Sequence, residues 1–164
     1  IAIGYHSYPE INYSFTGGIA WKGFDLDFLF QGTANRTVNL NNYLFQPFVN
    51  SANVHTWVIE NYWTPETHAT AKFPRLTTQS NANNYRASTY WLRNVNMLRL
   101  RNIELGYTMP KSSLGRLPLQ SVRFYISALN LLSWDDMEID LNTETLGLGY
   151  PTTKVFSAGL SLRL

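Results

Sequence analysis

The sequence predicts an all-β fold, an antiparallel transmembrane β-barrel of which this chain supplies five strands. Apolar and polar residues alternate over stretches of about ten residues, which is the length and period of tilted membrane strands. The connections between these stretches are alternately short and long, as in up-and-down barrels. The 164 residues include 10 Tyr, 9 Phe and 5 Trp, whereas only 15% are charged. This aromatic density is typical of membrane-interface girdles or of a sandwich core.

The first predicted element is a hairpin whose strands cover residues 11–21 and 24–32. Lys22 and Gly23 separate the two alternating runs, which is the spacing of a tight hairpin turn. The second strand has a large apolar residue at every second position and carboxylates between them, which suits one face on lipid and the other on water. The apolar residues are Phe24, Leu26, Phe28 and Phe30, and the carboxylates are Asp25 and Asp27.

The third predicted strand, residues 98–108, changes phase near its middle. Apolar residues occupy even positions as far as Leu100 and odd positions from Ile103 onward, because Arg101 and Asn102 are adjacent polar residues. A β-bulge absorbs one extra residue and keeps the apolar side chains on one face. We therefore expect a bulge at this point.

Two further alternating runs predict strands at residues 122–132 and 153–164. Between the third and fourth strands, residues 111–121 form a connection that contains Pro118.

The longest connection, residues 33–89, is rich in Asn, Thr and Ser and shows no sustained period. It far exceeds the roughly 12–15 residues beyond which ordinary loops are unusual, so we expect it to be functional or partly structured, with helical turns near residues 53–62. Trp57, Tyr62 and Trp63 are its candidate substrate-binding residues, because aromatic faces stack on sugars and apolar side chains. The alternative is that these aromatic residues pack on the barrel rim.

The second long connection, residues 133–151, is acidic. Its carboxylates are Asp135, Asp136, Glu138, Asp140 and Glu144. The pair Asp135 and Asp136 predicts solvated charge, and calcium binding is the less favoured alternative because the spacing of an EF-hand is absent.

Composition narrows the function classes. The formal charge of +2 comes with no basic run that would indicate a nucleic-acid surface, and the absence of Cys excludes disulfides and thiol-bound metals within this chain. No apolar segment approaches the roughly 18 residues of a membrane helix. The sequence starts with Ile and has no signal peptide, so we expect a piece of a longer or processed protein. The three histidines lack metal-ligand or triad spacing; they are His6, His55 and His68.

Several motifs carry a resemblance to a known family. They are YSFTGGIAWKGFDLDFLFQG at 13–32, WTPE at 63–66 with PRL at 74–76, YWLRNVNMLRLRNIELGYTMP at 90–110, SVRFYISALNLLSW at 121–134 and GYPTTKVFSAGL at 149–160. In these motifs the chain resembles the C-terminal barrel segment of a SusC-like TonB-dependent transporter (the RagA/SusC family) of the Gram-negative outer membrane. It departs from the family in ending with LRL at 162–164 rather than an aromatic residue, and in having EIDL at 138–141 where Asp-Pro-Glu is common.

The resemblance implies that these are the last five strands of a 22-stranded plugged barrel, whose plug domain lies outside this chain. It implies a nutrient importer without enzymatic activity or cofactor, which takes up glycan fragments or peptides with a SusD-like lipoprotein and the TonB complex. The short turns would be periplasmic, and residues 33–89 and 133–151 would be extracellular loops. Further expected partners are the remaining strands, the plug and outer-membrane lipid, with no nucleic acid.

With this topology, one set of charged residues would face the lumen or the plug. Its members are Asp25, Asp27, Arg99, Arg101, Glu104 and Arg123. We expect the four near the periplasmic end to hold the plug or to pair across strands, the alternative being a ladder of solvated wall charges. Arg99 and Arg101 lie higher on the wall, where they would meet substrate or plug.

Two other protein classes are alternatives, namely a small outer-membrane barrel or adhesin and a soluble carbohydrate-binding β-sandwich. The predicted lipid-facing side chains distinguish the sandwich, because a second sheet would bury them. They are Phe24, Leu26, Phe28, Phe30, Phe124, Ile126, Phe156, Leu160 and Leu162.

Overall fold

The computed structural model describes residues 3–41, 45–48, 53–79, 81–115, 118–137, 139, 142–145 and 149–164. Its five strands are β1 (Ile11–Trp21), β2 (Phe24–Asn39), β3 (Leu92–Thr108), β4 (Ser121–Asp135) and β5 (Val155–Arg163). They form one antiparallel sheet in the order β1-β2-β3-β4-β5, so each strand pairs with its neighbour in sequence. The described part of the chain is therefore an up-and-down meander.

The turn between β1 and β2 explains their register. Lys22 and Gly23 both have positive φ, 48° and 89°, as a type I′ turn requires. Trp21 consequently faces Phe24, and the pairing continues without a shift to Ile11 opposite Ala34. This two-residue connection aligns the apolar residues of both strands on one face.

The predicted bulge in β3 is confirmed. Leu29 of β2 pairs with Asn102 and Phe30 pairs with Leu100, so Arg101 is the extra residue. The pairing of β3 with β4 also shifts between Leu100 and Asn102. In that pairing Asn130 and Leu131 of β4 stand opposite Arg101, so β4 has an extra residue of its own at the same level. The bulge in β3 returns Ile103 to the face that Leu100 occupies.

Strands β2 and β3 are longer than the sequence predicted, and the expected boundaries at residues 32 and 98 were wrong. β2 continues to Asn39 and β3 begins at Leu92, because Arg36–Asn39 pair with residues 92–95 beyond a second register shift. Asn35, with φ of 57°, lies in that shift and obscures the alternation in the sequence. Residues 33–39 thus belong to the sheet and not to the long connection.

The end of β4 and the start of β5 also differ from expectation. β4 runs to Asp135 rather than to residue 132, and β5 covers Val155–Arg163, beginning where Val155 pairs with Leu129. The structured parts of the connections include one short helix, α1 (Thr56–Ile59), and 3-10 turns at Thr89–Trp91 and Lys111–Leu114. Among the described residues, no helix has the length and apolar character needed to cross a membrane.

One face of the sheet is apolar and uncovered. The predicted lipid-facing residues are at least partly exposed on it, with Phe156 70%, Ile126 58% and Phe124 50% exposed. The described strands form one sheet with nothing packed against this face, so the soluble-sandwich alternative is wrong. A continuous exposed apolar surface of this kind indicates contact with lipid or another apolar surface.

A separate hydrophobic cluster lies at the end of the sheet next to the long connection. Val38 of β2 and Val95 of β3 are buried in it together with residues of the connection. The other buried members are Leu40, Phe45, Val58, Phe73, Trp91 and Ile139. The long connection is therefore packed around its own hydrophobic core, which confirms the expectation that it is partly structured.

Candidate functional site

The polar face of the sheet carries two groups of charged side chains. The first spans three strands near the short-turn end, where Arg123 of β4 forms ion pairs with Asp25 of β2 and with Glu104 of β3. The Nη2 of Arg123 lies 2.8 Å from Oε1 of Glu104 and is also bonded to the Asp25 carboxylate. All three side chains are about one quarter exposed. We call this group the Arg123 cluster.

Gly106 provides the space for the Arg123 cluster. It lies opposite Asp25 in the pairing with β2 and opposite Tyr125 in the pairing with β4. A Cβ atom at this position would collide with both the Arg123 guanidinium and the Asp25 carboxylate. The guanidinium also lies over the Tyr125 ring, 5.4 Å from its centroid, within the range of a cation–π interaction. Sequence reasoning missed Gly106, whose signal is its position between charged residues on the polar face.

Asp27, expected in the same group, stands apart from Arg123. It is exposed, faces Glu104 across the β2–β3 ladder, and its carboxylate lies over Gly18 of β1. The structure thus brings together three of the four lower charged residues.

The second group lies higher on the same face, around Arg99 and Arg101. Arg99 Nη1 is 2.6 Å from Oε2 of Glu144, and Arg101 Nη2 is 2.6 Å from Oε1 of the same carboxylate. Arg101 also donates to the side-chain oxygens of Gln31 on β2 and Asn130 on β4, at 2.8 and 3.0 Å. We call this group the Arg99–Arg101 site.

Glu144, one of the carboxylates of the acidic connection, is bound to the polar face of the sheet. Arg99 and Arg101 hold its carboxylate against the sheet, and Thr143 beside it is buried, with its hydroxyl 3.1 Å from the sulfur of Met97. Asp136 is exposed and accepts hydrogen bonds from the backbone and side-chain nitrogens of Asn96 at 2.7 and 2.6 Å. Glu138 and Asp140 lie outside the described residues.

The three aromatic residues proposed for substrate binding have different surroundings. Trp57 packs on the hydrophobic cluster, with its ring 4.5 Å from that of Phe45 and 5.5 Å from that of Phe73. Tyr62 is half-buried and forms a β-bridge with Phe73. Trp63 alone of the three lines a surface groove and is 40% exposed. Trp57 is therefore a packing residue of the long connection, whereas Trp63 is exposed beside a groove.

The groove beside Trp63 has a volume of about 580 Å³. Tyr90, 44% exposed, forms part of its wall, and its hydroxyl donates to the carbonyl of Lys72 at 2.7 Å. The remaining polar lining consists of Arg75, Asn81, Asn83, Asn84 and Ser88. Aromatic faces combined with amide groups and one guanidinium suit a polar ligand with apolar patches, such as a sugar or a peptide.

The chemistry of the described residues is that of binding. Within the ranges that the structure describes, no group of three or more His, Cys, Asp or Glu side chains has an arrangement that could hold a metal ion. On the polar face Arg99, Arg101 and Arg123 are ion-paired, and in the long connection Trp63 and Tyr90 flank a groove. Paired charges on the sheet and exposed aromatic residues beside a groove are features of a surface that binds ligands.

Comparison with known proteins finds similarity to receptors and transporters. No family model matches the chain. The chain is 28% identical over 170 aligned residues to TonB-dependent receptor P3 of Formosa agariphila, an alignment that covers 94% of the chain and 16% of the relative. The chain thus spans about one sixth of that relative's length.

Solved structures agree. The RagAB peptide transporter matches with a TM-score of 0.73 and 25% identity, and the RagAB peptide importer in its closed-closed state with 0.73 and 28%. Its open-open state matches with a TM-score of 0.71 and 24% identity. Each match covers 98% of this chain and 18% of the solved one. The resemblance expected from the motifs is confirmed: in sequence and fold this chain is similar to part of TonB-dependent receptors and transporters, which are not enzymes.

Proposed function

We propose that this chain forms part of the wall of a TonB-dependent nutrient importer in the outer membrane of a Gram-negative bacterium. The observation that carries the proposal is the division of one sheet into an uncovered apolar face and a face of paired charges. Lipid contacts the first and the lumen or plug contacts the second, as the alternation of a membrane barrel requires.

The open edges of the sheet support a larger assembly. Within the described residues, β1 and β5 each pair on one side only. An unpaired edge within a bilayer leaves backbone groups without hydrogen bonds, which only a closed barrel avoids. The importer therefore contains further strands beside β1 and β5, and the plug is a separate part of the same protein.

The connections give the sheet its proposed orientation. The turn between β1 and β2 and the connection between β3 and β4 leave the sheet at one end, and the connections from β2 to β3 and from β4 to β5 leave it at the other. Short turns face the periplasm and long loops the outside in such barrels. The Trp63 groove is then extracellular, where a cargo-binding lipoprotein of the SusD type would deliver its cargo.

The cargo belongs to one of two classes. The solved RagAB structures are described as a peptide importer, which supports peptides. The aromatic and amide lining of the Trp63 groove suits glycan fragments equally well. TonB supplies the energy for passage in either case, and no covalent chemistry is required of this chain.

The experiment is a deletion of the full-length gene, complemented with the intact gene. We expect the deletion strain to lose uptake of either isotope-labelled oligopeptides or oligosaccharides, and the intact gene to restore it only in cells with active TonB. Affinity purification of the intact protein from outer membranes should recover a lipoprotein of the SusD type, identified by mass spectrometry. Unchanged uptake of both cargo classes, with no lipoprotein recovered, would contradict the proposal.

A further inference from the structure

The Arg99–Arg101 site has the geometry of a carboxylate receptor. Two guanidinium groups approach one carboxylate from different sides, each at 2.6 Å and each to a different oxygen of Glu144. Guanidinium groups recognise carboxylates by such paired, charge-assisted hydrogen bonds. Glu144 comes from the connection between β4 and β5, 43 residues from Arg101 and 45 from Arg99 in the sequence. The two arginines thus lie on strand β3, whereas the carboxylate that they bind lies in the connection between β4 and β5.

The wall positions Arg101 through contacts other than Glu144. Arg101 uses two other nitrogens to donate to Gln31 and Asn130, on the strands at either side. A guanidinium held in this way is preorganised for an anion. Arg99 has a side chain only 5% exposed and completes the pair from beneath the loop.

The charges around the site are unequal. Two guanidinium groups share the single carboxylate of Glu144. A third, that of Arg36, donates to the backbone carbonyls of Ser7 and Thr143, each at 2.9 Å. The charged residues that line the adjacent cavity of about 250 Å³ are Arg36 and Glu144. Three guanidinium groups thus lie around one carboxylate, and an excess of positive charge attracts anions.

The side chains of Arg101 and Glu144 are accessible to an anion in solvent, whereas that of Arg99 is not. Arg101 is 30% exposed and Glu144 27%, whereas Arg99 is 5% exposed. An incoming carboxylate therefore meets Arg101 first and reaches Arg99 only when Glu144 moves away. Thr152 also donates to Glu144, at 3.2 Å, so the displacement moves this part of the loop with it.

We propose that Arg99 and Arg101 form a carboxylate-binding site on the transport path, that Glu144 occupies it as an internal ligand, and that a carboxylate on the cargo exchanges with Glu144. This inference rests on the proposed function in one respect, since it requires the polar face to line the path. The ligand class is a carboxylate, whether the terminal group of a peptide or the acid group of a sugar.

The test measures release of the loop without measuring transport. Thr143 is only 2% exposed, so a cysteine placed there reacts with a maleimide reagent only when the loop leaves the wall. The full-length protein would carry Thr143→Cys, with other accessible cysteines removed, in outer-membrane vesicles. Succinate is the anionic probe, and succinamide is its uncharged counterpart.

We expect Glu144→Gln to raise the labelling rate about tenfold, as loss of a charge-assisted contact implies. Excess succinate should raise the rate several-fold in the protein that retains Glu144, and succinamide should leave it unchanged. Glu60→Gln, an exposed carboxylate in the long connection, is the matched control and should have no effect. In an Arg101→Gln variant, assembled as judged by heat-modifiable migration, succinate should lose its effect.

The inference is overturned if Glu144→Gln leaves the labelling rate unchanged. It is equally overturned if succinate and succinamide act alike, or if succinate retains its effect in Arg101→Gln. Because labelling requires no cargo uptake, a failed uptake experiment would contradict the proposed function and leave this result separately measurable.

Discussion

Arg123 and Glu104 form an ion pair of 2.8 Å between adjacent strands, and the same guanidinium also holds Asp25 one strand further away. One cation on β4 thus pairs with two carboxylates, on β2 and β3, and leaves the group with a net charge of −1. Arg123 is the group that offsets the repulsion between these two carboxylates, because both contact the same nitrogen.

Reversal of this charge, Arg123→Glu, is expected to impair assembly of the barrel. It would bring three carboxylates together on the wall and remove the charge-assisted contacts of Asp25 and Glu104. Heat-modifiable migration and the outer-membrane yield of the full-length protein measure the effect. Arg163→Glu, an exposed charge on β5, is the matched control. Equal yields of the two variants would show that the Arg123 cluster has no role in assembly.

The apolar face allows a paired test of its orientation. Ile126 is 58% exposed on that face, and Ser127, the next residue, lies on the polar face. Ile126→Arg should destabilise the folded barrel by about 2–4 kcal/mol at mid-membrane depth, and Ser127→Arg by much less. Urea unfolding in lipid vesicles gives both values. Equal losses would contradict the assignment of the two faces.

Trp57 and Trp63 are expected to behave oppositely. Trp57→Ala removes a ring packed on Phe45 and Phe73, and large-to-small changes of this kind cost about 3 kcal/mol. The long connection should then become sensitive to limited proteolysis. Trp63→Ala should leave proteolysis unchanged and weaken cargo binding about tenfold, since stacking on an exposed ring contributes about 1 kcal/mol or more. Weakened binding in Trp57→Ala with the connection intact would reverse these assignments.

Ionisation of Tyr90 is expected to weaken cargo binding in the Trp63 groove at alkaline pH. Burial raises the pKa of its phenol above the ordinary value of 10.0, and the nearby charge of Arg93 opposes that shift. A raised pKa in the folded state means that the stabilisation is complete below the unfolded value and is lost as pH rises through the folded value. Ionisation also removes the hydrogen bond to Lys72.

Absorbance titration at alkaline pH would detect this group as the difference between the unmodified protein and Tyr90→Phe. We expect the transition that Tyr90→Phe abolishes to lie above pH 10. Cargo binding should weaken as pH rises through this transition in the unmodified protein, and not in Tyr90→Phe. A difference transition below pH 10 would contradict the burial of this phenol.

The features of the fold that depend on neighbouring residues could be predicted from the sequence. The phase change at Arg101 and Asn102 predicted the bulge, because only one extra residue reconciles the two apolar runs. The spacing around Lys22 and Gly23 likewise predicted the hairpin. The extension of β2 was missed since the positive φ of Asn35 interrupts its alternation.

The candidate site was harder to predict, because its contacts connect distant parts of the chain. Arg99 and Arg101 were recognised as wall charges, but Glu144 was not recognised as their partner. No spacing rule connects a loop carboxylate to arginines more than 40 residues away. Similarly, Trp57 and Trp63 are alike in composition and near in sequence, and only the packing of the connection separates a core residue from a groove residue.

The bulge at Arg101 also constrains how this strand can change in length during evolution. Every residue of β3 after the bulge has its side chain on the face opposite to the one that strict alternation from Leu92 would assign. Deletion of Arg101 would remove the extra residue and the phase change together, so Ile103 would stay on the apolar face and Glu104 on the charged one. Deletion of a residue elsewhere in β3, with the bulge retained, would instead turn part of the strand over, so the bulge is the position at which this strand best tolerates a change of length.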